Sequence, residues 1–120
     1  MPAKILVVED HPDSREILIF QLQQIGYEVI EAATGEEGIE KALAESPHLI
    51  IMDLMLPGID GIEATARVKK NPQTAQIPVI ALTAFAETYH KDKALKAGVA
   101  EYLTKPTSPQ ILAEVIKRFL

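Results

Sequence analysis

The chain contains no cysteine, which removes disulfides, thiolate zinc sites and thiol nucleophiles. Tryptophan is also missing, and three tyrosines and three phenylalanines are the whole aromatic complement. No apolar run approaches the roughly 20 residues that span a bilayer. The N-terminus lacks the basic region and apolar stretch of a secretory leader. A soluble, cytoplasmic domain is therefore expected. Positive charge is in deficit: 12 Lys and Arg stand against 17 Asp and Glu, a net charge of −5. That argues against a nucleic-acid footprint. Apolar residues make up 48% of the 120 residues. This is enough for one domain, 1–120, with a sizeable core and no disordered tail.

Strand-like and helix-like patterns alternate along the chain. Strands are expected at about Lys4 to Val8, Glu28 to Ala32, His48 to Asp53, Ile77 to Leu82 and Ala100 to Leu103. The first helix starts at about Pro12, carries Leu18, Leu22 and Ile25 on one face and ends at Gly26, a residue suited to a C-cap. Thr34 can cap a helix from Glu36 to Glu45 with Ile39 and Leu43 facing inward. A third helix runs to about Lys70, where Asn71-Pro72 stops it, and a fourth from about Glu87 to Ala97. The last starts at about Ser108 and carries Ile111, Leu112, Val115 and Phe119. Five βα units imply an α/β fold, a parallel five-stranded sheet with helices on both faces, because crossovers are right-handed. The charged second strand, with Glu28 and Glu31, fits an edge. With the order 2-1-3-4-5, strand order reverses between the first and third strands, where ligands of such folds bind.

Polar groups collect at that edge. Ile5-Leu6-Val7-Val8 runs into Glu9-Asp10, Leu49-Ile50-Ile51-Met52 into Asp53, and Val79-Ile80-Ala81-Leu82 into Thr83. Glu101-Tyr102-Leu103-Thr104 ends at Lys105-Pro106. Clustered carboxylates repel unless a cation neutralises them. The pattern points to magnesium-assisted phosphoryl transfer. Singly each feature has an ordinary explanation: Glu9-Asp10 as an acidic helix flank, Asp53 as a strand end, Lys105 as a surface charge, Thr83 as a cap. Jointly they do not.

Val-Val-Glu9-Asp10, Asp53-Leu-Met-Leu-Pro57-Gly58-Ile-Asp-Gly61, Leu-Thr83-Ala84, and Ala-Gly98 followed by Tyr102-Leu-Thr-Lys105-Pro106 together resemble the receiver domain of bacterial two-component response regulators, the CheY-like family. The resemblance covers essentially the whole chain. It implies that Asp53 accepts a phosphoryl group from a histidine kinase or histidine phosphotransfer protein. Asp10, Asp53 and the backbone carbonyl of Met55 would hold Mg²⁺ (or Mn²⁺), with Glu9 acting through a water. Lys105 would pair with Asp53 and then with a phosphoryl oxygen, and the Lys105–Pro106 bond is expected to be cis. Thr83 would donate to the phosphate, small Ala84 would leave an approach, and Tyr102 would report the change. The surface of the fourth helix, fifth strand and fifth helix would then alter its binding of a downstream protein. No membrane partner is implied, and the chain is expected to be a monomer or weak dimer with no output domain. The stretch from Ala81 to Ala86 resembles stand-alone and hybrid-kinase receivers more than DNA-binding regulators. Gly38 stands where the family usually has Ala, and His48 replaces a frequent Asp.

On the first helix, Ile17 and Phe20 fall off the sheet-facing stripe. With His11, Ser14 and Pro106 they form a candidate docking patch for the phosphodonor. His11, His48 and His90 show no metal-ligand spacing. Two rival functions fit less well. A magnesium-dependent aspartyl-phosphate phosphohydrolase needs an acid two residues after the nucleophile, where Met55 stands. A flavin carrier needs a phosphate-binding loop after the first strand, where Glu9-Asp10-His11-Pro12-Asp13 would repel phosphate. Met55 and Phe85 are expected to overhang the phosphoryl group and slow its hydrolysis, since neither can orient a water. The chain is not expected to be an enzyme beyond its own phosphorylation and dephosphorylation.

Overall fold

The computed structural model describes residues 2–84 and 88–120, residues 88–90 by backbone alone. The strands are β1 (Lys4–Val8), β2 (Glu28–Ala32), β3 (Leu49–Met52), β4 (Val79–Thr83) and β5 (Glu101–Thr104). The helices are α1 (Pro12–Ile25), α2 (Gly35–Glu45), α3 (Gly61–Lys70), α4 (Thr88–Ala97) and α5 (Pro109–Phe119). All strand pairs are parallel, in the order β2-β1-β3-β4-β5. Among the described residues no helix is long and apolar enough to cross a membrane.

Successive strand side chains point to opposite faces, and here both faces are covered. Leu6, Val8, Ile50, Met52, Val79 and Ala81 face α2, α3 and α4, meeting Ala42, Ala64, Val68 and Ala94. Ile5, Val7, Leu49, Ile51, Ile80 and Leu82 face α1 and α5, meeting Leu18, Leu22, Leu112, Val115 and Ile116. Burial on both sides explains why these strands read as unbroken apolar runs. β2 pairs with β1 alone, so its charges lie on an edge as expected.

Local chemistry fixes the helix ends. Thr34, Asp60 and Ser108 each accept a hydrogen bond from the backbone N–H three residues on, capping α2, α3 and α5. Gly26 ends α1 in the left-handed conformation, at φ 112°.

Several expectations need correction. Leu43 does not face inward: it is exposed, and α2 buries Gly35, Gly38 and Ala42, with Ile39 half-buried beside them. The cause is close packing. A Cβ on Gly38 would lie 2.8 Å from Cγ2 of Val8, so the helix rests on its line of small residues, and Leu43 projects to the side of that line. On α5, Ile111 is exposed and Ile116 is buried instead. β4 begins at Val79, after Pro78, which has no N–H to give a ladder; Ile77 is buried but turns back to Thr74. The expected helix start at Glu87 lies outside the described residues.

Gly61 opens α3 directly beneath the end of β3. Its N–H donates to the Leu54 carbonyl at 3.0 Å, and a Cβ there would lie 2.2 Å from the Asp53 carbonyl oxygen. Only a hydrogen fits, and the contact is with backbone, which cannot move aside cheaply. Gly61→Ala should therefore cost about 3 kcal/mol or more, read as a lowered midpoint in urea unfolding. A midpoint equal to wild type would show that the loop after Asp53 yields.

Candidate functional site

Four strand ends build the site. β1 and β3 are neighbours, and the N–H of Asp53 donates to the Val8 carbonyl at 3.0 Å, placing Asp53 beside the start of the Glu9-Asp10 loop. β4 and β5 are neighbours, and the N–H of Lys105 donates to the Thr83 carbonyl at 2.7 Å. The Lys105–Pro106 peptide is cis, as expected. Sequence segments 96 residues apart are thereby brought to one point, where the Lys105 ammonium donates to Oε1 of Glu9. The same ammonium donates to Oδ2 of Asp53 at 3.1 Å.

Both acids are buried, Glu9 to 2% and Asp53 to 7% exposure. Charges withdrawn from water that far need partners. Glu9 has Lys105 and, on its other oxygen, the His11 N–H at 3.3 Å. Asp53 has Lys105 on Oδ2 and the Met55 N–H on Oδ1 at 3.0 Å. Burial by itself lowers the Lys105 pKa, but the hydrogen bond to Glu9 and the charges of Asp53 and Glu9 outweigh it and hold the ammonium above the ordinary lysine value. Lysine here is a fixed cation.

The pairing with Asp53 was anticipated; the one with Glu9 was not. A glutamate is one methylene longer than an aspartate, and that reach brings its carboxylate onto the lysine. Asp10 is half-buried beside it. Glu9, Asp10 and His11 offer ligand atoms within 4.8 Å of one another, and His11 Nδ1 lies 3.8 Å from Asp10 Oδ1. His11 shows no metal-ligand spacing in the sequence, and its neighbouring position in the loop supplies that closeness without any sequence period. Hard carboxylate oxygens on an open edge are a donor set suited to Mg²⁺, which binds one or two carboxylates and keeps its waters.

Thr83 is fully buried at the end of β4. Tyr102, paired in register with Ala81, is half-buried against the core on the α2–α4 face. Met55 is exposed, just past Asp53, while Phe85 lies outside the described residues. Ser14, Ile17 and Pro106 do converge, lining a groove of about 470 Å³ between α1 and the β5–α5 loop together with Glu9 and Lys105. Ile17 and Phe20 are 60% and 61% exposed, as their place off the stripe required. His11 and Phe20 do not line the groove.

The family model for the response regulator receiver domain matches residues 5–117. The chain belongs to the response regulator receiver domain family. The alkaline phosphatase synthesis transcriptional regulatory protein PhoP of Bacillus subtilis is 40% identical over 120 residues. The match covers all of this chain and 49% of PhoP, so the chain spans about half the length of that relative. The structure of chemotaxis protein CheY4 of Vibrio cholerae superposes with a TM-score of 0.94 at 32% identity, over 100% of both chains. The receiver domain of the sensor histidine kinase PA1611 of Pseudomonas aeruginosa, solved with magnesium in its active-site cleft, superposes with a TM-score of 0.93 at 32% identity. It covers 99% of this receiver domain and 98% of that chain. These similar proteins thus include both a transcriptional regulator and a kinase receiver domain.

Asp10 is a candidate ligand crowded by Glu9, so Asp10→Asn should raise the metal-free thermal midpoint while losing most of the Mg²⁺-induced rise. For wild type at ten times its dissociation constant, that rise should correspond to about 1.4 kcal/mol. A lowered metal-free midpoint with the Mg²⁺ shift intact would make Asp10 structural.

Proposed function

We propose that this receiver domain is a phosphorylation-dependent switch in which Asp53 accepts a phosphoryl group. The observation that carries the reading is the buried Asp53 carboxylate, held on one oxygen by Lys105 and on the other by the Met55 N–H. Two donors fix its direction while each oxygen keeps a lone pair free. An Asp53 oxygen would attack the phosphorus of a phosphohistidine; the P–O bond forms, the P–N bond breaks, and the imidazole leaves with the bonding pair. Asp10, Asp53 and the Met55 carbonyl would hold Mg²⁺, with Glu9 through a water. The bound ion would supply charge neutralisation on the phosphoryl oxygens. Lys105 would follow the charge from the carboxylates to a phosphoryl oxygen, as a point charge on a flexible stem. Thr83, at the end of the neighbouring strand, would donate its hydroxyl, and Tyr102 would respond to that movement.

The phosphodonor would be a histidine kinase or histidine phosphotransfer protein docking on the groove of Ser14, Ile17 and Pro106. A downstream protein would read the α4–β5–α5 surface. The phosphohydrolase alternative is disfavoured: Met55 offers only a thioether and a backbone amide near Asp53, neither of which can shuttle the proton that hydrolysis needs.

Acetyl phosphate with Mg²⁺ should add one phosphoryl group to the wild-type domain and none to Asp53→Asn, as read by intact mass. The adduct should be lost in alkali, as an acyl phosphate is. Labelling of Asp53→Asn to the wild-type extent would overturn the assignment.

A further inference from the structure

Arg15, on the first turn of α1, has no part in the chemistry above, yet it touches the loop that carries the acids. Its Nη1 donates to the backbone carbonyl of Glu9 at 2.9 Å. Its Nε donates to Oε1 of Glu31, on the edge strand β2, also at 2.9 Å. The Arg15 side chain is mostly covered, while that of Glu31 is about half exposed. An exposed ion pair of this kind contributes little to stability, about 0–1 kcal/mol. What the pair does is orient the guanidinium. Its rigid fork fixes the second donor once the first is engaged.

The far side of Glu31 is also held. The Lys41 ammonium donates to the Glu31 carbonyl and pairs with Glu37 at 3.2 Å. Glu37 in turn accepts the Ala33 N–H at 2.8 Å, a bond that keeps its carboxyl below the usual carboxylate range. Arg15, Glu31, Glu37 and Lys41 line a small cavity of about 140 Å³ at the end of β2. The main chain of Glu9 is thus tied on both sides: its N–H donates to the Ala32 carbonyl at 3.0 Å, and its carbonyl accepts from Arg15. The peptide that leaves Glu9 leads directly to Asp10, so its orientation sets where both carboxylates are aimed.

We propose that Arg15 is a positioning residue for the cation site, clamping the Glu9 carbonyl to Glu31 so that Glu9 and Asp10 present their oxygens in a binding geometry. This rests on the reading of Glu9, Asp10 and Asp53 as the Mg²⁺ site.

The test is Mg²⁺ titration of wild type, Arg15→Ala, Arg15→Lys and Glu31→Gln, followed by amide NMR shifts, alongside metal-free thermal midpoints. Residues that orient metal ligands without touching the metal cost on the order of tenfold or more in affinity when removed, and Arg15→Ala should weaken Mg²⁺ by that amount. Arg15→Lys keeps the charge but cannot make both bonds, so it should restore the thermal midpoint without restoring affinity. Glu31→Gln should weaken Mg²⁺ in the same direction, by less. If Arg15→Ala lowers the midpoint while its affinity stays within roughly twofold of wild type, Arg15 is only a structural contact and the proposal fails. Full affinity in Arg15→Lys would likewise overturn it, since charge alone would then suffice. A wild-type protein with no saturable Mg²⁺ shift would instead sink the cation reading itself, and the proposal with it.

Discussion

A single ammonium group joins two buried carboxylates at the carboxyl edge of the sheet, and the geometry of the site depends on it. Lys105 bridges Glu9 and Asp53, which come from the first and third strands, while its own backbone is tied to Thr83 on the fourth. Without the lysine, two buried carboxylates would sit together almost out of reach of water with no cation between them. With it, each carboxylate has a partner that fixes its direction.

Most of the architecture was legible in the sequence because strand burial was so complete. Runs such as Ile5 to Val8 and Leu49 to Met52 have no polar face, which requires helices on both sides and hence parallel strands. Gly26, Thr34 and Asn71-Pro72 marked helix limits that the structure keeps to within a residue. Side-chain direction on helices is less legible. Hydrophobicity places Leu43 inward, but α2 sits on Gly35, Gly38 and Ala42, and on α5 Ile116 is buried while Ile111 is exposed. How closely a helix approaches the sheet decides which residue fits beneath it, and that distance is a tertiary property with no sequence period.

The site divides in the same way. The identities at strand ends gave Glu9, Asp10, Asp53, Thr83 and Lys105 through their resemblance to a family, and a parallel sheet necessarily gathers them at one edge. The partner of Lys105 was only half foreseen, because the extra methylene of Glu9 matters only once the strands are in register. Arg15 gave no signal: among twelve basic residues nothing in its spacing tells a guanidinium under a loop from one in solvent. Two of its contacts, a carbonyl six residues back and a carboxylate on another strand, exist only after folding.

The measurement that bears most directly on this account is a double-mutant cycle on Glu9→Gln and Lys105→Met, by urea unfolding without metal. A charge-assisted hydrogen bond between a buried carboxylate and its bridging ammonium predicts a coupling of about 1.5–3 kcal/mol, with each single variant less stable than additivity with the double would give. A coupling within about 0.3 kcal/mol of zero would mean that the two groups do not stabilise one another, and the site would then need another organiser.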